Sequence, residues 1–262
     1  MKLSIITIAY NAEATIADAV RSVTEQVPMG FELEYIIVDG ASTDGTLERL
    51  APFRDRISRI ISEPDSGLYD AMNKGVRAAT GDWVGILNAD DAYAHPQVLA
   101  NVVSALRSAE ASADSSAEPV DKPVEALYGD LDYVDGAETG RVVRRWRSGA
   151  YRRLSFLHGW MPPHPAFFLK RTVYEQHGLF SLDLRSAADY ELMLRMLYKH
   201  RIAAIHVPEV LVHMRTGGVS NASWKNRLRA NREDRRAWRM NGLTPMPWTL
   251  LLKPLRKIVQ WF

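Results

Sequence analysis

The sequence predicts an α/β fold on a mostly parallel sheet, and three observations predict it. Short β-rich runs alternate with helical periodicity through the first hundred residues, the runs end in polar or acidic clusters, and 262 residues at 47% hydrophobic content suffice for one sizeable core.

Leu3–Ala9 is the first β-rich run, and Ile16, Ala19, Val20, Val23 and Val27 then recur at helical spacing. Tyr35–Val38 reads as a second strand, Thr46–Leu50 as a short helix and Ile57–Ile61 as a third strand. Leu68–Ala79 reads as a helix with Leu68, Met72, Val76 and Ala79 inward, and Trp83–Leu87 as a fourth strand. Such alternation implies right-handed βαβ units and a sheet covered on both faces. From Ser108 to Pro123 the chain turns to Ala, Ser, Asp, Glu and Pro without apolar periodicity, a solvated loop or insertion. Strands at Ala126–Tyr128 and Arg141–Trp146, a segment 160–170, a helix from Ala187 to about His200 and a last strand Ala203–Val207 follow. The expected organisation is therefore an α/β half over 1–107, the insertion 108–123, a second half of the same domain over 124–220, and a basic amphipathic tail over 221–262.

Cysteine is absent, which excludes a disulfide framework, thiolate metal sites and thiol nucleophiles, and fits a reducing compartment. The N-terminal apolar run has no small-residue cleavage site behind it and reads as a strand, not a signal peptide. The net charge of +2 hides an asymmetry: from His213 onward eleven Lys and Arg face two Asp and Glu, a balance of +9, so residues 1–212 carry 22 against 29, or −7.

In open parallel sheets ligands bind beyond the carboxyl ends of the strands. Here those ends read Tyr10-Asn11, Asp39-Gly40, Glu63-Pro64-Asp65-Ser66-Gly67 and Asn88-Ala89-Asp90-Asp91. Singly, such residues are most often helix caps or turn formers. The Asp90-Asp91 pair is sharper, because two adjacent carboxylates leaving a buried strand repel unless a cation sits by them. Mg²⁺ or Mn²⁺ meets that need with one or two protein carboxylates when a diphosphate supplies the remaining oxygens.

The runs Thr7-Ile8-Ala9-Tyr10-Asn11, Val38-Asp39-Gly40-Ala41-Ser42-Thr43-Asp44-Gly45-Thr46, Asp70-Ala71-Met72-Asn73-Lys74-Gly75, Thr80-Gly81-Asp82 and Asn88-Ala89-Asp90-Asp91 resemble, in order and spacing, the inverting family 2 glycosyltransferases of the GT-A fold. More narrowly they resemble bacterial members that assemble colanic acid, O-antigen and other exopolysaccharides, over about residues 3 to 220. The resemblance implies a Rossmann-like GT-A sheet and a nucleotide-sugar donor, a UDP-sugar by default. It also implies roles. Tyr10 would stack on the base, with Ala9 and Asn11 beside it, and Asp39 would accept from a base N–H. Asp65 and Gly67 would line the donor pocket, Gly67 permitting close backbone approach, with Asn73, Lys74 and Asn88 as further donor contacts. Asp90 would reach the ribose, and Asp91 would hold the metal.

Asp189 is the candidate general base for the acceptor hydroxyl. It precedes the apolar stripe Leu192, Met193, Met196 and Leu197 on its helix, and as a first-turn acid, capped by Ser186, it is favoured in its ionised form. The family carries Glu-Asp where this chain reads Ala188-Asp189. His164, before Pro165-Ala166-Phe167-Phe168, matches an acceptor-side histidine of the related enzymes, with a structural histidine as the alternative. His213–Ser220 resembles a stretch that folds over the diphosphate, with Arg215 neutralising phosphate and His213 as a further metal ligand. A plain Gly-Gly turn is the alternative there.

In the tail, Leu251, Leu252, Leu255, Ile258, Val259 and Phe262 share one helical face opposite Lys253, Arg256, Lys257 and Gln260, with Pro254 marking the helix start. The segment is too short and too charged to span a bilayer but suits an anionic interface; packing on the domain or a dimer contact are the alternatives. The expectation is thus a cytoplasmic transferase, peripheral on the inner membrane's cytoplasmic face and acting on a lipid-linked oligosaccharide, with homo-oligomerisation left open. Nucleic acid is not expected as a partner, because it leaves the acidic strand ends unexplained. A sugar nucleotidyltransferase would need a Gly-rich basic loop after the first strand, and Tyr10-Asn11-Ala12-Glu13 supplies none.

Overall fold

The computed structural model describes residues 1–115, 122–136, 140–216 and 224–256, with backbone alone for 113–115 and 224–230. Strands β1 (Lys2–Ala9), β2 (Glu32–Asp39), β3 (Arg59–Ser62) and β4 (Trp83–Asn88) pair in parallel in the order β3-β2-β1-β4. Helices α1 (Ile16–Thr24) and α2 (Leu68–Ala78) and a 3₁₀ segment, Glu48–Arg56, supply the crossovers. Alternate residues of β1 enter different cores. Ile6 and Ile8 join Met72 and Val76 of α2, while Leu3 and Ile5 join Ile16 and Val20 of α1. A parallel sheet packed on both faces requires this division.

The second half does not form a separate layer. β8 (Phe167–Lys170) adds antiparallel to β4, and β6 (Val124–Asp135) continues the sheet beside it. β9 (Ala203–Arg215) runs parallel to β6 and carries the short β5 (Asp91–Tyr93) on its far side, while β7 (Arg141–Trp146) pairs with the later part of β6. The sheet therefore curls until β5 returns beside the end of β4. That curl sets Asp91 against strands from the other half of the sequence.

Several sequence expectations change here. β9 is 13 residues long and passes through Pro208, where the sequence suggested an end at Val207. The register with β6 shifts between His206 and Val210, and proline is tolerated at such an irregularity because no ladder bond is lost. Half of the expected loop over 108–123 is helix: α3 (Val98–Ser115) starts on buried Val98, Leu99, Val102, Val103 and Leu106 and continues through alanines, the best helix formers. The rest of that loop, 116–121, lies outside the described residues. In α2, Tyr69 takes the inward place expected of Leu68, which is exposed.

The helix α5 (Ala188–Met193) passes into a π-helical stretch, Leu194–Lys199. Its N-cap is Ala187, without a side-chain cap, because Ser186 gives both its N–H and its hydroxyl to Glu233 of α6 (Trp224–Met240).

Helix α7 (Thr249–Arg256) starts five residues before Pro254, contrary to the expectation that the proline begins it. The Leu250 carbonyl, which a proline cannot serve, accepts from Asn231 Nδ2 at 3.4 Å. The helix is fixed to the body by Thr249 Oγ1 donating to the Leu157 carbonyl at 2.6 Å and by Lys253. Lys253 Nζ lies 2.7 Å from Asp234 and 3.7 Å above the Tyr190 ring. Lys253 thus points inward, not to solvent as the helical projection suggested, and Trp248, Leu251 and Leu255 are exposed. Residues 257–262, including Lys257, Ile258, Val259, Gln260 and Phe262, lie outside the described residues, and no helix among those described is long and apolar enough to cross a membrane.

Candidate active site

The carboxyl ends of β1, β2 and β4 converge as their parallel register demands. Tyr10 is 66% exposed, so it is no core aromatic. Its ring edge and the Asp65 carboxylate crowd the α-carbon of Gly40, where any side chain would clash. The exposed ring, the carboxylate and the bare Gly40 backbone thus meet at one edge of the sheet, groups suited to a flat polar ligand. Asp39 precedes Gly40 on β2. It is fully buried, and its oxygens accept from the Ser42 N–H and hydroxyl and from the Ser62 hydroxyl at 2.7 Å. The Ala9 carbonyl accepts the Gly40 N–H at 2.9 Å and ties the two strand ends together.

Three expected donor contacts, Asn11, Asn73 and Lys74, are tied into the framework by their side chains. Asn11 has φ 47°, and its side-chain oxygen accepts the Thr43 N–H at 2.9 Å while its own N–H goes to Ser42, so it staples two loops. Asn73 is buried, exchanging two 2.9 Å bonds with the backbone of Phe180. Lys74 is neither solvated nor free: it reaches the Pro64 carbonyl at 2.6 Å and Glu63 at 2.9 Å, holding the loop that carries Asp65. Gly67 has open space where a side chain would be, which leaves its backbone accessible. Its φ of 117° is what requires glycine, at the turn where Asp65 accepts its N–H at 2.7 Å.

Asp91 is the most perturbed group at this edge. Asn88 Nδ2 donates to its Oδ2 at 2.8 Å, but Oδ1 is buried with no hydrogen-bond partner among the described residues. Burial, and then the neighbouring Asp90, push its carboxyl well above the usual range. An orphaned carboxylate oxygen beside a second acid suits a divalent cation whose remaining ligands come from a diphosphate. His213 does not join it. In the β5–β9 ladder Asp91 pairs with Met214 and Ala92 with His213, so the strand pleat sends His213 to the opposite face. Arg215 lies close enough for its charge to bear on Asp91, yet its guanidinium pairs with Asp18 of α1 at 2.5 Å and is not free for phosphate. Of the stretch 213–220, residues 217–220 lie outside the described residues.

Asp189 stands at the start of α5, partly exposed, and Tyr69 donates its hydroxyl to Oδ1 at 3.1 Å. That contact joins the first turn of α2 to the second half. His164 is buried edge-on to Phe180, 5.5 Å between ring centroids, and burial pushes its pKa down although Asp189 pulls it up. Tyr133 completes the link: burial raises its pKa, and Arg144, Asp91 and Asp189 all act on it. Asp91 and Asp189 thus both act on Tyr133, and Asp189 also on Tyr69 and His164, which links the five residues. Tyr69 and Tyr133 were missed from the sequence. Tyr69 had a weak signal in the phase of its helix, whereas Tyr133 had none without the strand register.

Known proteins resemble this chain in sequence and in fold. Residues 4–178 match the model of Glycosyl transferase family 2. An uncharacterized glycosyltransferase of Mycobacterium tuberculosis is 31% identical over 199 residues, 74% of this chain and 68% of that protein. A PGL/p-HBAD biosynthesis glycosyltransferase of Mycobacterium bovis is 29% identical, covering 83% and 78%. Among solved structures, Staphylococcus aureus TarS 1–349 in complex with UDP-GlcNAc superposes with a TM-score of 0.66 at 16% identity, over 92% of this chain and 65% of that one. The chain spans 39% of the longer TarS chain. The mannosyltransferase PcManGT of Pyrobaculum calidifontis, in complex with GDP-Man and Mn²⁺, gives a TM-score of 0.62 at 23% identity over 95% and 67%. These likenesses establish the GT-A fold.

Proposed function

Because the chain belongs to glycosyl transferase family 2 and is a glycosyltransferase, we propose that it moves a sugar from a nucleoside diphosphate sugar to an acceptor hydroxyl in one inverting step. The observation that carries this reading is the orphaned buried oxygen of Asp91 together with Asp189 held by the Tyr69 hydroxyl, both carboxylates acting on Tyr133. Tyr10, Gly40, Asp39 and Asp65 receive the nucleoside, most simply a uridine, since complexes of the fold's relatives include UDP-GlcNAc. Mn²⁺ or Mg²⁺ on Asp91 would neutralise charge on the departing diphosphate. Asp90 is left for the ribose. Asp189 removes the acceptor proton, and the Tyr69 hydroxyl fixes the carboxylate in place. His164, kept neutral by burial, adds no competing positive charge and lines the acceptor side.

The acceptor is a lipid-linked glycan in this proposal, with the enzyme peripheral on the cytoplasmic leaflet in cell-surface polysaccharide assembly. The support is α7: Leu251 and Leu255 are exposed on a helix clamped to the body and Trp248 is exposed in the turn before it, with exposed Arg235, Arg236, Arg239 and Arg256 nearby in the chain, a combination suited to an anionic interface.

A thermal-shift screen of nucleoside diphosphates with and without Mn²⁺ tests the donor site. UDP or GDP should raise the melting temperature, more so with metal, by ligand linkage. The anomeric configuration of the product, read by NMR, tests inversion: a product that keeps the donor's configuration would overturn the single-step reading. Co-sedimentation with anionic vesicles, lost on deleting residues 240–262, tests the tail.

A further inference from the structure

The row that begins at Asp91 continues across the sheet. Asp91 pairs with Met214, Met214 with Tyr133, and Tyr133 with Arg144 on β7, so the four side chains leave one face. Arg144 lies three strand spacings from Asp91, about 14 Å between backbones, with Tyr133, on which Asp189 also acts, as its neighbour in the row. Its guanidinium lies 3.8 Å above the Tyr133 ring and 5.9 Å from that of Trp146.

Arg144 is only 8% exposed, and Nε and Nη2 are buried with no hydrogen-bond partner among the described residues. No ion pair among the described residues includes it. Arg195 shows how this fold treats a structural arginine: it pairs with Glu191 and donates to the carbonyls of His177, Gly178 and Leu179. The unmatched nitrogens of Arg144 are the side-on edge of the guanidinium, whose two N–H groups point the same way and match two oxygens of one carboxylate or phosphate. A buried cation without a counter-ion is costly, and an arriving oxyanion removes that cost.

We infer that Arg144, backed by Tyr133, is an anion-binding subsite on the acceptor side, so that the acceptor carries a carboxylate or phosphate close to the hydroxyl that is glycosylated. The inference rests on the transferase reading, and the test keeps the two separable. Protein saturated with UDP or GDP and Mn²⁺, so that the diphosphate position is filled, is titrated with glucose, glucuronate and glucose 6-phosphate and followed by ligand-observed NMR. At least one of the anionic sugars should bind tenfold or more tightly than glucose, and which one distinguishes a carboxylate from a phosphate. Arg144→Gln and Arg144→Met, the second keeping an apolar stem over Tyr133, should bring that preference to within twofold of glucose. Arg144→Lys should retain part of it. The melting shift given by nucleotide and Mn²⁺ should be the same in all four proteins.

Absence of an anionic preference in the wild type, or its survival in both uncharged variants, would overturn the inference. So would a parallel loss of the nucleotide shift, which would assign the guanidinium to the donor. If no nucleoside diphosphate shifts the wild type, the transferase reading fails, and the same titration on the ligand-free protein still decides the anion site.

Discussion

The two sides of the site treat charge in opposite ways. On the nucleoside side Asp39 and Asp65 are answered locally: Asp39 by Ser42 and Ser62, Asp65 by the Gly67 N–H, and the Asp65 loop by Lys74. On the other side Asp91 keeps an orphan oxygen, Arg144 keeps two orphan nitrogens, and the one hydrogen bond to the Asp189 side chain comes from Tyr69, among the described residues. Buried polar groups in a folded chain are normally paired, so the first pattern describes a rigid receptor and the second marks places completed by something that binds. The contrast teaches that preorganisation and incompleteness are divided between the halves of one sheet.

The largest effect that would break the contrast is at Asp189. Asp189→Asn keeps the shape and removes the proposed base, so transfer should fall by about 10²–10⁴-fold, in kcat more than in KM, with the nucleotide melting shift intact. A variant that still turns over would move the base elsewhere.

Next comes Asn73, whose role separates framework from ligand. Asn73→Ala orphans the N–H and carbonyl of Phe180 and should destabilise by about 1–3 kcal/mol for each group left unpaired, read by denaturant unfolding. Nucleotide affinity per folded molecule should stay level, and a fall with stability unchanged would return Asn73 to the donor pocket. Tyr10→Ala should do the reverse, weakening nucleotide binding by about 1–3 kcal/mol, the range for aromatic stacking on a base, while an exposed ring leaves stability unaltered.

The smallest effect concerns His164. Its folded pKa lies below the ordinary value because of burial, so the unfolded chain takes up the proton first. Its contribution is complete above about pH 6.5 and is lost as pH falls from there toward the folded value. Wild type should therefore lose stability over that window relative to His164→Gln, and parallel profiles would place the histidine in solvent contact.

What the sequence disclosed was the part governed by local rules. Strand ends announce themselves by the passage from apolar run to acid, which picked out Asp39, Asp65 and Asp91, and helical phase put Asp189 toward the interior. What it concealed depends on distant partners. Asn73 and Phe180 are 107 positions apart, and nothing near either tells of the exchange between them. His213 and Met214 look equally eligible as neighbours of a metal until the β5–β9 register assigns one to each face. Arg144 is one basic residue among several in a strand, distinguished only by the row it joins. Pro208 and Pro254 misled for a related reason: proline predicts an end unless a register shift or a side chain such as Asn231 absorbs the missing bond.

Gly159 has φ 73° and lies flush against the backbone of Lys253 in α7, so even a methyl group there would lever the terminal helix outward. Lys253 rests on Tyr190, the next residue along from Asp189. A position that belongs to no motif is thus geared to the helix turn that carries Asp189, so under the proposed mechanism a change at Gly159 should be felt in turnover as well as in folding.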